Sequence, residues 1–98
     1  MTNKKSQRNR IEKRLKHAFG QVLREYRNKR GMTQETLGFE AGYHSTWISQ
    51  LERGLKQPSL ATVFIIAKHL GVKPDEMIKA VDKKFTSQIR IRLKKKSR

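Results

Sequence analysis

The sequence predicts an all-α fold, a compact set of five helices with a strongly basic segment at each end. Apolar residues in the middle of the chain recur at intervals of three and four, which is the spacing of one helix face. No convincing strand pattern occurs before residue 84. Glycines follow the first four apolar runs, where helices are expected to end; they are Gly31, Gly42, Gly54 and Gly71.

The first helix is predicted from an apolar face made of Phe19, Val22, Leu23 and Tyr26. The second helix is predicted over residues 34–41, because Thr33 can cap its start and Glu35 lies near its positive end. A third helix is predicted from near Ser45 to Arg53.

Pro58 and Ser59 precede the fourth helix, whose predicted apolar face is Leu60, Val63, Phe64, Ala67 and Leu70. Pro74 and the two acids after it favour the start of a fifth helix. Its inward residues are predicted to be Met77, Ile78 and Val81.

Charge is distributed unevenly along the 98 residues. The chain has 24 Lys and Arg against 8 Asp and Glu, a net charge of +16. Residues 1–30 carry +9 and residues 83–98 carry +8, whereas residues 31–82 carry −1. A chain this basic predicts a polyanionic partner. No cysteine is present, which excludes disulfides and thiolate metal sites, and no apolar run is long enough for a membrane helix.

Composition divides the chain into a basic arm at 1–15, a domain at 16–83 and a basic tail at 84–98. Residues 1–10 are predicted to be flexible, because they contain no apolar face to bury. In the tail, alternation over residues 85–93 favours a strand, spacing of four from Val81 favours a continued helix, and disorder is a third alternative. We expect both ends to contact phosphates and hypothesise that residues 85–93 contribute to dimerisation.

Residues 34–53 form the informative segment, two predicted short helices joined by a glycine turn. Gly38 is expected where the two helices approach closely, and Tyr43 and Ile48 are expected to hold the second helix on the core. The outward positions of that helix carry short hydrogen-bonding side chains that can approach base edges in a major groove; they are His44, Ser45, Thr46, Ser49 and Gln50.

Residues 18–82 resemble the Cro/C1-type helix-turn-helix domain of the xenobiotic-response-element family of transcriptional regulators. The resemblance rests on features in register over five predicted helices. The matching stretches include Phe19-Gly20, Leu23-Arg24, Arg27, residues 31–35, Ala41-Gly42, Ile48-Ser49, residues 52–54, residues 58–60, Ile66-Ala67 and residues 70–72.

The resemblance implies roles for the matching residues. Expected base contacts are Ser45, Thr46, Ser49 and Gln50, of which Gln50 is favoured because glutamine can pair with adenine through two hydrogen bonds. Expected contacts with the DNA backbone are Thr33, Gln34, His44, Trp47, Arg53 and Lys56. For Trp47 the alternative is a partly buried packing residue, and for His44 a solvated residue at a helix start. Arg27 and Glu52 are expected to form a partly buried ion pair that orients the third helix.

The sequence departs from the family pattern at three positions. Gly38 stands where alanine is usual, and Phe39 and Ile65 are apolar where polar residues are common. The two apolar residues are expected either to be isolated surface residues or to mark a contact with a second subunit or the tail.

The leading functional prediction is a sequence-specific duplex-DNA-binding regulator, a homodimeric repressor or controller on an inverted-repeat operator. One alternative is an antitoxin with a toxin protein as partner; another is a general nucleic-acid-binding adaptor. No enzymatic activity, cofactor, metal or small-molecule ligand is expected, because His17, His44 and His69 are scattered and no glycine-rich phosphate loop is present. The expected location is cytoplasmic, in association with the nucleoid.

Overall fold

The computed structural model describes residues 4–97, and the side chains of residues 4–87. It contains five helices, which confirms the predicted all-α class, and residues 4–97 include no strand. The helices are α1 (Lys4–Lys29), α2 (Gln34–Ala41), α3 (Ser45–Glu52), α4 (Leu60–Leu70) and α5 (Pro74–Ser97).

The core forms where the middle of α1 packs on α3 and α5, and where α4 packs on α2 and α5. Phe19, Val22 and Leu23 of α1 are buried there as predicted, and Tyr26 packs at the edge. From the other helices the core receives Leu37, Ile48, Leu51, Val63, Ile66, Ala67, Leu70, Met77 and Val81. Burial of these side chains is the main favourable contribution to the free energy of folding, and it holds α2 and α3 in place.

Polar side chains define the starts of the short helices. The Thr33 hydroxyl accepts a hydrogen bond from the Thr36 N–H at 2.9 Å, so Thr33 is the N-cap of α2 as predicted. Ser59 caps α4 in the same way through the Thr62 N–H at 3.0 Å. The third helix ends at Glu52, one residue before the predicted end, because Arg53 is its C-cap.

The N-terminal segment departs from its predicted conformation, and the C-terminal segment adopts one of its three predicted alternatives, the continued helix. The segment predicted to be a flexible arm is helical from Lys4, since its residues favour helix and neither glycine nor proline interrupts it. The tail continues α5 to Ser97, so the strand prediction for residues 85–93 is wrong. Phe85 packs partly buried against the core, which favours the helical spacing of four. Residues 1–3 and 98, and the side chains of Ile89 and Leu93, lie outside the described residues.

Three residues predicted to face the core are exposed instead. Leu60 is 72% exposed, Phe64 53% and Ile78 46%. All three line one groove of about 810 Å³ between α4, α5 and α1, together with Leu15 and Phe85. The apolar faces of α4 and α5 are therefore wider than the surface that the side chains of residues 4–87 cover.

Candidate DNA-binding surface

The turn between α2 and α3 requires a glycine at its base. The carbonyl oxygen of Gly38 accepts hydrogen bonds from the backbone N–H groups of Gly42 and Tyr43. A Cβ at Gly38 would lie 2.5 Å from the Tyr43 carbonyl oxygen, closer than side chains tolerate. The glycine that departs from the family pattern thus permits the close approach predicted from the sequence.

The third helix has a buried and an accessible face. Ile48 and Leu51 are fully buried, and Tyr43 packs beside them at the edge of the core. The opposite positions are partly or fully exposed, and they carry the residues expected to contact bases: Ser45, Thr46, Ser49 and Gln50. Hydroxyl and amide groups held on a helix in this way can form hydrogen bonds with base edges.

His44 holds the start of this helix. Its Nδ1 accepts a hydrogen bond from the Thr46 N–H at 3.0 Å, and its side chain is exposed. An accepting Nδ1 belongs to the neutral imidazole with its proton on Nε2. In the free protein His44 is thus an exposed residue at the start of α3, and its Nε2–H remains as a donor.

Glu52 lies at the centre of a hydrogen-bonded cluster that joins α1, α2 and α3. Its side chain is fully buried. Arg27 donates to both carboxylate oxygens, from Nε at 2.5 Å and from Nη2 at 2.9 Å. Gln34 donates at 3.0 Å and Arg24 at 3.3 Å. The structure thus brings the expected pair together and adds two further partners.

The environment of Glu52 favours its charged form. Burial acts to raise its pKa, but hydrogen bonds from Arg27 and Gln34, the charge of Arg27, and the hydrogen bond from Arg24 outweigh burial. The pKa of Glu52 is therefore below its ordinary value. The hydrogen bond to Glu52 is the main cause of a raised pKa at Arg27, which also donates to the Met32 carbonyl oxygen at 2.8 Å. At neutral pH this charged network fixes α3 against α1 and the start of α2.

Trp47 packs against the core in the free protein. Its Nε1 is buried with no hydrogen-bond partner among the described residues. An indole N–H in that position is covered by protein in the free molecule. The expected backbone contact would require this side chain to move.

Arg53 and Lys56 follow α3 in an exposed turn, where both cations are free to approach a phosphate. This turn rests on α1, because a Cβ on Gly54 would lie 3.3 Å from His17 Cα. One turn further along α1, a Cβ on Gly20 would lie 2.5 Å from the carbonyl oxygens of Leu51 and Glu52. The end of α3 is thus set directly on the backbone of α1.

Reasoning from the sequence assigned neither Arg24 nor Gly20 to the site, although both lie in stretches that match the family. Arg24 and Arg27 are three residues apart, so they lie on the same side of α1 and can reach one carboxylate. The spacing was visible, but only the fold places Glu52 opposite both arginines.

The fold and this surface define a DNA-binding helix-turn-helix protein. The helix-turn-helix family model matches residues 23–77, and the chain belongs to that family, with Cro/C1-type architecture. It is similar to control protein C.BamHI of Bacillus amyloliquefaciens, with 44% identity over 61% of this chain and 75% of that protein.

Two solved structures share the architecture. The restriction-modification controller protein C.AhdI from Aeromonas hydrophila is 37% identical, with a TM-score of 0.61 over 63% of this chain and 94% of that one. The controller protein C.Esp1396I, solved as a tetramer with its natural 35-base-pair operator, is 26% identical, with a TM-score of 0.67 over 74% and 95% of the two chains.

The family comprises DNA-binding regulators and not enzymes. Among the described residues, no group of three or more His, Cys, Asp or Glu is placed to hold a metal ion. None of the helices within residues 4–97 has the length and apolar character needed to span a bilayer.

Proposed function

We propose that this protein is a sequence-specific transcriptional regulator that binds an inverted-repeat operator as a homodimer and controls a restriction-modification operon. The observation that carries the proposal is the accessible face of α3, which presents neutral hydrogen-bonding side chains and is fixed by the Glu52 cluster. A helix held this rigidly can insert into the major groove without first being ordered.

Base contacts are assigned to Ser45, Thr46, Ser49 and Gln50. Each has a hydroxyl or amide group on the accessible face of α3. Gln50 can donate and accept at once, so it can pair with both N6 and N7 of adenine. These contacts would supply discrimination among sequences.

Backbone contacts are assigned to residues at the ends of α2 and α3. The Gln34 amide has two hydrogens, of which one points to Glu52, so the second can donate to a phosphate. His44 can donate from Nε2, while Arg53 and Lys56 supply charge after α3. Thr33 lies beside Gln34 at the positive end of α2, where phosphate binds favourably.

The homodimer is supported by the apolar groove of α4 and α5. Leu60, Phe64 and Ile78 expose large apolar side chains along it, and Phe85 extends it into the tail. Exposed apolar surface of this kind is typical of protein–protein contacts. A chain truncated after Lys84 should lose dimer in sedimentation experiments, whereas a truncated chain that stays fully dimeric would exclude the tail from the interface.

Control of a restriction-modification operon is supported by the similarity to the restriction-modification controller protein C.AhdI. The test is selection of bound sequences from random duplex DNA. We expect two related half-sites in inverted orientation, spaced by one helical turn or a multiple of it. Equal recovery of all sequences would contradict the proposal. A cytoplasmic, nucleoid-associated location is part of the same proposal.

A further inference from the structure

A cationic surface lies on the part of α1 before residue 23, where the match to the family model begins. We define the α1 stripe as Arg10, Lys13, Arg14, His17 and Gln21, which together line one shallow depression of about 510 Å³. We propose that the α1 stripe binds phosphates of the DNA flanking the operator half-site, so that contact extends beyond the helix-turn-helix unit. This inference rests on the proposed function.

Helical spacing places the stripe on one face. Arg10, Arg14, His17 and Gln21 follow at intervals of four, three and four residues, which return to the same side of α1. The core residues Phe19 and Val22 lie on the opposite side. The nearest acid in sequence, Glu12, lies roughly 200° round the helix axis from Arg10 and does not neutralise the stripe.

The stripe is continuous with the surface assigned to DNA. His17 lies beside Gly54, since a Cβ built on that glycine would lie 3.3 Å from His17 Cα and 3.4 Å from His17 Cγ. Gly54 directly follows the exposed Arg53 and lies two residues before the exposed Lys56. A DNA strand whose phosphates contact the turn after α3 would therefore pass His17 first and then the cations of α1.

The dimensions fit a nucleic-acid backbone. From Arg10 to His17 the helix rises about 10 Å, equal to about three nucleotides at 3.4 Å per step. Continuity with α3, which presents groups suited to base edges, favours duplex DNA over RNA or an acidic protein as the occupant. The contacts would add affinity and salt dependence without adding sequence preference.

A pair of charge-matched variants tests the inference. The stripe variant is Arg10→Gln, Lys13→Gln and Arg14→Gln. The control variant is Lys68→Gln, Lys73→Gln and Lys83→Gln, which removes the same charge from exposed positions outside α1 and outside the assigned DNA-binding surface. Glutamine favours helix, and circular dichroism checks that both variants keep it.

The probe is the duplex recovered by selection from random DNA, either trimmed to the selected site or extended by about 10 base pairs on each side. A random-sequence duplex of the longer length is measured beside it. With the long duplex, the slope of log affinity against log salt should fall by up to about 2.7 in the stripe variant, for three lost phosphate contacts. Between about 50 and 200 mM salt, the fold-loss of affinity in wild type should then be roughly 40 times the fold-loss in the stripe variant.

Three results overturn the inference. Equal slopes for the stripe and control variants would mean that total charge and not this face determines binding. If the stripe variant still binds the long duplex more tightly than the trimmed duplex by the same factor as wild type, the flanking contact lies elsewhere. A stripe variant that loses single-stranded RNA binding but keeps its duplex slope would assign the face to RNA. If wild type shows no preference for the selected duplex over the random duplex, the proposed function is wrong. The salt slopes measured on the random duplex would still decide whether the stripe binds phosphates.

Discussion

Arg27→Met should destabilise the protein by removing the main partner of a buried carboxylate. Glu52 has no exposed side-chain surface, and Arg27 donates two of its four hydrogen bonds. Hydrogen bonds to charged groups contribute about 1.5–3 kcal/mol each. Arg24 can compensate only in part, because its bond is 3.3 Å long and its side chain is 55% exposed. Loss of one partner of a buried pair costs about 3–5 kcal/mol, and we expect a value near the lower end.

Urea unfolding at neutral pH, followed by circular dichroism, measures this loss. For a domain of this size, 3 kcal/mol corresponds to a fall in Tm of about 12–24 °C. Lys84→Met is the matched control, because Lys84 pairs with Glu25 at 2.8 Å on the surface. The control should lose at most about 1 kcal/mol.

A double-mutant cycle separates the pair from its surroundings. Glu52→Met combined with Arg27→Met leaves no buried carboxylate, so the double variant should be no less stable than Arg27→Met alone. An Arg27→Met variant that loses no more stability than Lys84→Met would refute the assignment of Glu52 as a buried charge held by Arg27.

Three further predictions concern the same surface. Because the pKa of Glu52 is lowered from 4.5, its stabilising effect is complete above that value and is lost as the pH falls through the folded-state pKa. Glu52→Gln should therefore weaken the loss of stability at acid pH, measured as urea midpoints from about pH 3 to 7. An unchanged loss of stability at acid pH would argue against this role of Glu52. Gly20→Ala should cost about 1–3 kcal/mol, since its Cβ would lie 2.5 Å from two carbonyl oxygens of α3, whereas the exposed Gln21→Ala should stay within about 0.5 kcal/mol in the same unfolding assay. Gln50→Ala should keep the wild-type Tm yet reduce discrimination at one base pair by about 1–3 kcal/mol in binding selections; an equal loss at every position would contradict a base contact.

The basic ends show where local sequence was insufficient. Residues 4–10 have no apolar face, yet they extend α1 as helix. In the tail, both a strand and a helix would place apolar side chains on one face, so the pattern alone left the choice open. Phe85 settles it, because on a helix it reaches the core beside Leu15 and Phe19.

The sequence by itself determined the helices of the central domain and the polar face of α3. Helix periodicity, N-caps and glycines act within a few residues, so they can be recognised without knowledge of the fold. The tertiary structure alone decided which residues meet Glu52, why Gly20 is glycine, and that Leu60, Phe64 and Ile78 remain exposed. Those features depend on contacts between helices distant in sequence, and a spacing rule gives the side of a helix but not what lies opposite it.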